Sequence, residues 1–223
     1  MNVLTVRMGV TNCYVIQDKG TVMVDSGPPN KAESFFGAMR KAGIDPRQIK
    51  LIVHTHGHWD HVGSARVLKE ATGAQIAMRQ PDKDWLENSI NRLPAPATAW
   101  GRILMRLMSR YMRSARVSAT VVDIVLGDDE FSLVPFGVPG KVVCTPGHSL
   151  GSVTVLLENG DACVGDLAMN GFPFHFGPGL PIWADDLELA KRSWRILFDL
   201  GVKTVYPGHG KSFPAEALRQ SVG

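Results

Sequence analysis

Apolar and polar positions along the first third of the chain predict short strands interleaved with helices. The stretch VLTVRMGVTNCYVIQDKGTVMVDSG favours two or three strands, with a turn at Asp18, Lys19 and Gly20. A helix is predicted over KAESFFGAMRKAG, because apolar residues recur at helical spacing and Gly43 suits a helix C-terminus. Two short apolar strands, IKLIVHT and AQIAM, flank a predicted helix in GSARVLKEATG that Gly73 ends.

Strands predominate again in the second half of the chain, from Thr120 to Val164. An amphipathic helix in DLELAKRSWRILFDLG and a strand in KTVYPGHG, which ends in a glycine-rich turn, complete the pattern. This order of strands, a β-α-β unit, further strands and a final helix and strand predicts an α/β protein with helices outside sheet layers. We expect residues 1–223 to form a single domain.

Residues 82–117 interrupt this pattern between two predicted strands, and we interpret them as a helical insertion. Two helices are predicted there, in DKDWLENSINRL and ATAWGRILMRLMSRYMRSAR, with Pro94, Ala95 and Pro96 between them. One side of the second helix is apolar and the other is basic. The apolar side contains Trp100, Ile103, Leu104, Leu107, Met108, Tyr111 and Met112. The basic side contains Arg102, Arg106, Arg110 and Arg113.

The positive charge of the chain is concentrated in this insertion. The whole chain has 24 basic and 21 acidic side chains, a net charge of +3, whereas residues 82–117 alone carry +4. Three interpretations stay open: a hairpin that buries its apolar side and leaves its arginines in water, a lid over an active site, and a surface for a membrane or another anionic partner. The apolar side would also serve as the interface of a homodimer.

Cysteine content and hydropathy favour a cytoplasmic protein. Cys13, Cys144 and Cys163 are odd in number and widely spaced, so we expect buried thiols in a reducing compartment. The N-terminal stretch MNVLTVRMGVTNCYVIQ has neither the basic nor the apolar segment of a signal peptide. No apolar run reaches the roughly 18–20 residues of a transmembrane helix.

Residues that commonly bind metals are concentrated in LIVHTHGHWDH, directly behind an apolar strand. His56 and His58 are two residues apart, so both imidazoles point the same way if the strand conformation continues. Asp60 and His61 follow where the chain bends toward a helix, and their side chains can serve a second ion. The run therefore has the geometry to divide its ligands between two neighbouring metals.

Three further candidate ligands follow later strands. His148 lies in TPGHS, Asp166 in VGDLAMN and His209 in YPGHG. Each comes at a strand end beside glycine, which leaves room for an ion and keeps the ligand on a rigid support. The joint pattern predicts metal binding far more strongly than any one of these residues does. All these candidates donate nitrogen or oxygen, which suits zinc and is also compatible with manganese or iron.

The motifs VDSG, THGHWDH, TPGHS, GD and YPGHG occur in this order and resemble those of the metallo-β-lactamase-fold superfamily of hydrolases. The resemblance covers nearly the whole chain outside the insertion, and it implies a four-layer αββα sandwich with metals at one edge of the sheets. It also implies that Asp166 bridges two divalent ions, and that Asp25 holds a ligand imidazole or the adjacent loop in place. By the same resemblance one ion is bound by His56, His58 and His148, and the other by Asp60, His61 and His209.

Such a pair of metals implies a metal-dependent hydrolase, since ions that share a hydroxide lower the pKa of water from about 15.7 toward about 7. Asp60 is the candidate catalytic residue, because it lies beside both ions and can orient the hydroxide. Among the branches of the superfamily, the bridging Asp166 favours a glyoxalase II-like enzyme over a true β-lactamase. The expected substrate is a small ester, thioester or lactone. A mononuclear iron enzyme that resembles persulfide dioxygenases, or a phosphodiesterase on the same fold, is the alternative.

Candidate substrate contacts lie in the apolar loop after Asp166. Phe174, His175 and Trp183 are the candidates, and an apolar pocket formed there with the insertion would favour a substrate with an apolar part. His54 is expected to pack in the core. We expect a small-molecule substrate and no nucleic acid as partner.

Overall fold

The structure is a computed structural model that describes residues 1–222, and within them two β-sheets lie face to face. The first sheet has the strand order β1-β2-β3-β4-β5-β6. Its N-terminal strands are antiparallel, and β3, β4, β5 and β6 are parallel to one another. The bounds are β1 Asn2–Met8, β2 Thr11–Gln17, β3 Thr21–Val24, β4 Ile49–Val53, β5 Gln75–Arg79 and β6 Ile124–Leu126.

The second sheet has the order β13-β12-β10-β9-β8-β7, with β11 added to β10. Most of its neighbours are antiparallel, but β10 and β12 run parallel and bring their carboxyl ends to the same edge. The bounds are β7 Phe131–Ser132, β8 Gly140–Cys144, β9 Val153–Leu157, β10 Asp161–Asn170, β11 Pro178–Gly179, β12 Thr204–His209 and β13 Phe213–Pro214.

Helices cover the outer faces of both sheets. Their bounds are α1 Ala32–Ala42, α2 Trp59–Val62, α3 Ala65–Thr72, α4 Gln80–Glu87, α5 Ala99–Ser114, α6 Leu187–Asp199 and α7 Arg219–Val222. Short 3₁₀ turns occupy Pro46–Gln48, Val134–Phe136 and Ala215–Leu218.

Three hydrophobic clusters lie between these layers and join them. The cluster between the sheets includes Val24 and Val53 of the first sheet and Val155 of the second. A second cluster joins the outer face of the first sheet to its helices, and a third packs α6 on the second sheet around the fully buried Trp194. The α/β class and the αββα layers expected from the sequence are thus confirmed.

The helix ends at Gly43 and Gly73 follow the sequence-based expectation. Both glycines adopt the left-handed backbone conformation, with φ of 67° and 71°, and their N–H groups bond to carbonyls of the preceding turn. Glycine favours this conformation because it has no Cβ to meet the carbonyl.

The first helix of the insertion is shorter than predicted. The helix α4 ends at Glu87, although DKDWLENSINRL was expected to be helical throughout. Two features account for the difference. The side-chain amide of Asn88 also donates to the Asp84 carbonyl and helps to close the end of the helix, and Ser89 leaves the helical conformation with a positive φ of 56°. The second helix matches closely, because the Thr98 hydroxyl accepts a bond from the Gly101 N–H and caps α5.

The prediction of buried thiols is wrong for Cys144. Cys13 and Cys163 are buried, but Cys144 is only partly buried. It is the last residue of β8 and lies near the charged side chains of Arg79 and Asp128 rather than in a hydrophobic cluster.

No helix within residues 1–222 combines the length and the apolar character that crossing a bilayer requires. The cytoplasmic location stays a prediction.

Candidate metal centre

The seven candidate ligands lie together at one edge of the sandwich, where strands of both sheets end. The ligands that follow β4 lie in a loop and in the short helix α2; they are His56, His58, Asp60 and His61. His148 lies in the loop after β8, Asp166 in β10 and His209 at the end of β12. Three groups have ligand atoms within 4.8 Å of one another. They are His56, His58 and His148; then His56, His61 and Asp166; and finally Asp60, His61 and His209.

The first group consists of imidazoles. His58 Nδ1 lies 2.9 Å from His148 Nε2, and the ring of His56 has its centroid within 4.8 Å of both other rings. His148 Nδ1 lies 2.7 Å from the carbonyl oxygen of Trp183, to which it donates, so its Nε2 is directed to the centre. A hydrogen bond on the outer nitrogen fixes both tautomer and orientation of a ligand histidine.

The second and third groups together place the imidazoles of His61 and His209 against the carboxylates of Asp60 and Asp166. His209 Nε2 lies 3.2 Å from Asp60 Oδ2 and 3.3 Å from Asp166 Oδ2. Its Nδ1 donates to the Val10 carbonyl at 2.9 Å. His61 Nε2 lies 3.2 Å from Asp166 Oδ1. The two oxygens of Asp166 therefore face different histidines, an arrangement that suits a carboxylate shared between two ions.

Several buried atoms of this cluster have no hydrogen-bond partner among residues 1–222. They include His56 Nε2, and also His61 Nε2 and Asp166 Oδ1, which lie 3.2 Å apart but without the alignment of a hydrogen bond. Leaving a buried polar atom unpaired costs about 1–3 kcal/mol, so three of them in one place need another partner. Converging nitrogen and oxygen donors of this kind fit divalent metal ions.

The electrostatics of the cluster also favour a bound cation. Burial, followed by neighbouring histidines, lowers the pKa of His56 and His58 well below the usual value, so both are neutral, the form that binds metal. Burial raises the pKa of Asp60, but His61 and His209 lower it to about 2. Burial lowers the pKa of His209, but Asp166 and Asp60 raise it to about 10. The carboxylates thus attract positive charge into the centre.

Asp25 connects β3 to the ligand loop. Its Oδ2 accepts from His61 Nδ1 at 2.8 Å, and its Oδ1 accepts from the backbone N–H of Thr55 at 2.8 Å. The Thr55 hydroxyl contacts both carboxylate oxygens and also lies 3.1 Å from His56 Nδ1. Asp25 has a left-handed backbone, with φ of 58°, a conformation that the surrounding bonds must stabilise.

Two glycines allow the strands to approach this closely. A Cβ on Gly208 would lie 2.4 Å from Asp166 Oδ1, and one on Gly165 would lie 2.4 Å from the Thr55 hydroxyl. Any larger residue at either position would displace Asp166 or Thr55.

Asp82 supports two ligand loops and was not identified from the sequence. Its buried carboxylate accepts bonds from the Gly57 N–H at 2.9 Å, the Ser149 hydroxyl at 2.6 Å and the Gly151 N–H at 3.1 Å. It therefore fixes the loop between His56 and His58 and the loop that carries His148. An acidic residue in the first turn of a helix is usually explained by the helix dipole alone. In the sequence, the burial of Asp82 is indicated by its spacing from Trp85 and Leu86, which places it on the apolar side of α4.

A narrow cavity of about 30 Å³ lies over the cluster. Phe174 and Trp183 line it, and the ring of Phe174 stacks on His209 with centroids 4.3 Å apart. Three residues of α5 form another wall, so the lid interpretation of the insertion has a structural basis. The lining consists of Val10, His58, Trp59, Asp60, Pro94, Met108, Tyr111, Met112, Asp166, Phe174, Trp183 and His209.

The other two histidines lie elsewhere. His175 is only partly buried, bonds to the Gly177 carbonyl in its own loop and does not line the cavity, and its role as a substrate contact stays a prediction. His54 is fully buried, and its Nε2 lies 3.0 Å from the Ser26 hydroxyl.

Replacing Asp82 by asparagine should weaken the metal centre without removing a ligand. The carboxylate of Asp82 accepts hydrogen bonds from N–H and O–H groups of the ligand loops. An asparagine would place its own N–H group against one of these donors, so one or more of the bonds would be lost. We expect the free energy of unfolding to fall by about 1.5–3 kcal/mol and metal affinity to fall by about 10–100-fold. Chemical denaturation and metal titration measure the two effects.

The matched control is Asp84→Asn, on the same helix but exposed to solvent. It should change neither quantity appreciably. Equal behaviour of the two variants would show that Asp82 does not hold the loops.

Comparison with known proteins places these features in context. The chain is 28% identical over 160 residues to "Probable metallo-hydrolase YqgX" of Bacillus subtilis, which covers 71% of this chain and 65% of that protein. The chain thus spans slightly less than two thirds of that relative. It is 23% identical over 241 residues to "Probable metallo-hydrolase YflN" of the same organism, with 98% of this chain and 87% of that protein covered.

Solved structures share the fold. The B3 metallo-β-lactamase BLEG-1 superposes with a TM-score of 0.72 at 21% identity, over 98% of this chain and 97% of that one. An archaeal superfamily protein of Sulfolobus tokodaii also gives a TM-score of 0.72, at 22% identity over 99% of this chain and 84% of the other. The family model described as "Metallo-beta-lactamase superfamily" matches residues 6–209. With this match over most of its length, the chain belongs to the metallo-β-lactamase superfamily.

Proposed function

We propose that this protein is a binuclear metal-dependent hydrolase that cleaves a small ester, thioester or lactone with an apolar part. The observation that carries the proposal is the buried set of nitrogen and oxygen ligands in which the two oxygens of Asp166 face different histidines. Relatives described as metallo-hydrolases, among them YqgX, support the hydrolytic reaction.

Two divalent ions would be held by the groups that meet at Asp166, with zinc favoured and manganese or iron also compatible with the ligands. His56, His58 and His148 would hold one ion, and Asp60, His61 and His209 the other. Bound ions supply a water of lowered pKa and polarise the carbonyl of the substrate. The glyoxalase II-like branch is part of the proposal, because it rests on the bridging role of Asp166.

Asp60 is the residue we assign to proton transfer. Of the two carboxylates in the centre, Asp60 is the more exposed, at 13% of its side chain against 5% for Asp166, and it lines the cavity. The Thr11 hydroxyl donates to its Oδ2 at 3.2 Å and helps to hold the carboxylate in place. From this position Asp60 orients the attacking water and accepts its proton. Among the residues that line the cavity in the described chain there is no serine, cysteine or lysine to act as nucleophile.

The cavity walls favour an apolar substrate. Met108, Met112, Phe174 and Trp183 present mainly apolar surface over the cluster, and no arginine or lysine lies among the described lining residues. Apart from the bound ions, a phosphodiester or another strongly anionic substrate would therefore have no cationic side chain to pair with among these residues. The volume of about 30 Å³ holds little more than a water molecule, so substrate entry requires α5 or the loop with Phe174 to move.

Replacing Asp166 by alanine should remove metal and activity together, since both ions would lose a shared ligand. We expect the loss in turnover to exceed the roughly 100-fold effect of removing an outer support. Elemental analysis and hydrolysis of a p-nitrophenyl ester measure the two effects on one preparation.

The control is Asp161→Ala, at the opposite end of the same strand β10, where the side chain accepts a hydrogen bond from the Asn159 amide and from no other group within residues 1–222. This variant should keep its metal and its turnover. Near-normal turnover of Asp166→Ala would contradict the bridging assignment.

Truncating Met108 to alanine should weaken the use of longer acyl esters. The change removes apolar contact worth about 0.8 kcal/mol per methylene, so kcat/KM for a hexanoyl ester should fall by roughly tenfold, while that for an acetyl ester changes little. A chain-length series of p-nitrophenyl esters measures this. Met105→Ala, on the same helix but away from the cavity, should leave the series unchanged; a parallel fall for every chain length in Met108→Ala would exclude a chain-binding wall.

A further inference from the structure

The helix α5 exposes apolar side chains that the sequence pattern had placed on its packing side. Leu104 and Met112 are buried, but Ile103, Leu107 and Tyr111 are 51%, 74% and 63% exposed. These three residues follow one another at intervals of four and form a continuous stripe along the helix. The stripe therefore lies largely outside the described core, which it meets where Tyr111 contacts Trp59.

Two phenylalanines of the loop after β10 extend this surface. Phe172 and Phe176 are 71% and 81% exposed, and their ring centroids lie 5.7 Å apart. Trp100 Nε1 donates to the Pro173 carbonyl at 2.8 Å and ties the start of α5 to this loop. We call Ile103, Leu107, Tyr111, Phe172 and Phe176 the mouth patch.

The mouth patch adjoins the cavity over the metal centre. Tyr111 belongs to the stripe and also lines the cavity, where its ring lies 5.7 Å from that of Trp59. Phe174, between the two exposed phenylalanines in the chain, lines the cavity as well. Both segments that carry exposed apolar residues thus contribute to the lining of the candidate active site.

A row of arginines runs beside the stripe. Arg102, Arg106, Arg110 and Arg113 are exposed, and the sequence of α5 contains no acidic residue. Other basic residues on helices have acidic partners, such as Arg66 with Glu70, Lys83 with Glu87 and Lys191 with Glu188. The salt bridges found among residues 1–222 include none from the arginine row. The four arginines therefore carry positive charge without an ion pair to any described acidic residue.

A partner that binds both the mouth patch and the arginine row must offer an apolar surface and negative charge together. In a two-fold dimer through the mouth patch, the arginine rows of both copies would approach with no acidic residue of α5 between them, which is unfavourable. A nucleic acid backbone would bind the arginines but leave the apolar stripe in water. An anionic lipid surface engages both, because arginines bind the headgroup phosphates while apolar side chains enter the acyl boundary.

We propose that the mouth patch and the arginine row of α5 dock this protein on the surface of an anionic lipid bilayer, with the cavity opening toward the lipid. The docking does not depend on the hydrolytic reaction. It gives an apolar substrate a route from the bilayer to the metal centre without passing through water.

Co-sedimentation with vesicles tests the docking directly. The full-length protein is mixed with vesicles of phosphatidylcholine alone, or of phosphatidylcholine and phosphatidylglycerol in a 3:1 ratio. We expect binding to the anionic vesicles, little binding to the neutral ones, and release in high salt as the charges are screened. Each arginine near the surface contributes about fivefold in partitioning, so Arg106→Glu/Arg110→Glu should lower binding by at least about 25-fold.

A second variant and a matched control separate charge from apolar contact. Leu107→Asp should also abolish binding, because it introduces a charged group into the stripe. Arg40→Glu/Lys41→Glu makes the same charge change at exposed positions of α1 and should retain most of the binding. All altered residues are exposed, so metal content and circular dichroism should match the unaltered protein.

Three results would overturn the proposal. One is a protein that stays in the supernatant with both kinds of vesicle. Another is a loss of binding in the α1 control as large as that in the α5 variant. The third is a dimer in sedimentation velocity that Leu107→Asp dissociates, without vesicle binding, since the mouth patch would then be a contact between copies. Activity toward soluble esters is measured separately, so failure of docking is distinguishable from failure of the hydrolase assignment.

Discussion

The carboxylate of Asp166, buried between imidazoles from both halves of the sandwich, is the interaction on which the rest of the site depends. His61 reaches it from the first sheet side and His209 from the second. Burying a carboxylate is unfavourable unless it meets positive charge or hydrogen-bond donors, and here Asp60 adds a second negative charge next to His209. The centre therefore favours a cation, and divalent metals meet that demand while pairing the unsatisfied atoms of His56 and His61.

Hydrogen bonds from the surrounding residues hold the ligands in place at this edge of the sheets. Asp25 holds His61 and the ligand loop from the end of β3, while the carbonyls of Trp183 and Val10 orient His148 and His209. These supports come from segments far apart in the chain: the end of β3, the turn between β1 and β2, and the loop before α6. The apolar walls over this edge come from α5 and from the loops that contain Phe174 and Trp183.

Much of the fold was predictable because its signals are local. The apolar runs define strands, Gly43 and Gly73 end helices by their backbone freedom, and the spacing of His56 and His58 places two imidazoles together. The supports were not predictable in the same way. Asp82 acts through bonds to loops 25 and 67 or more residues away, and no local pattern encodes such contacts. The exposure of Leu107 was also hidden, since periodicity shows that a helix side is apolar but not whether anything covers it.

The most direct test of the account is the metal content of each chain, measured by elemental analysis of protein purified without chelators or added metal. Because Asp166 lies between the group of His56, His58 and His148 and the group of Asp60, His61 and His209, we predict about two divalent ions per chain, with zinc the main element. About one iron per chain with little else would contradict a binuclear hydrolase and would direct attention to oxygen-dependent chemistry. A chain that binds no divalent ion even after metal is supplied would contradict the metal centre itself.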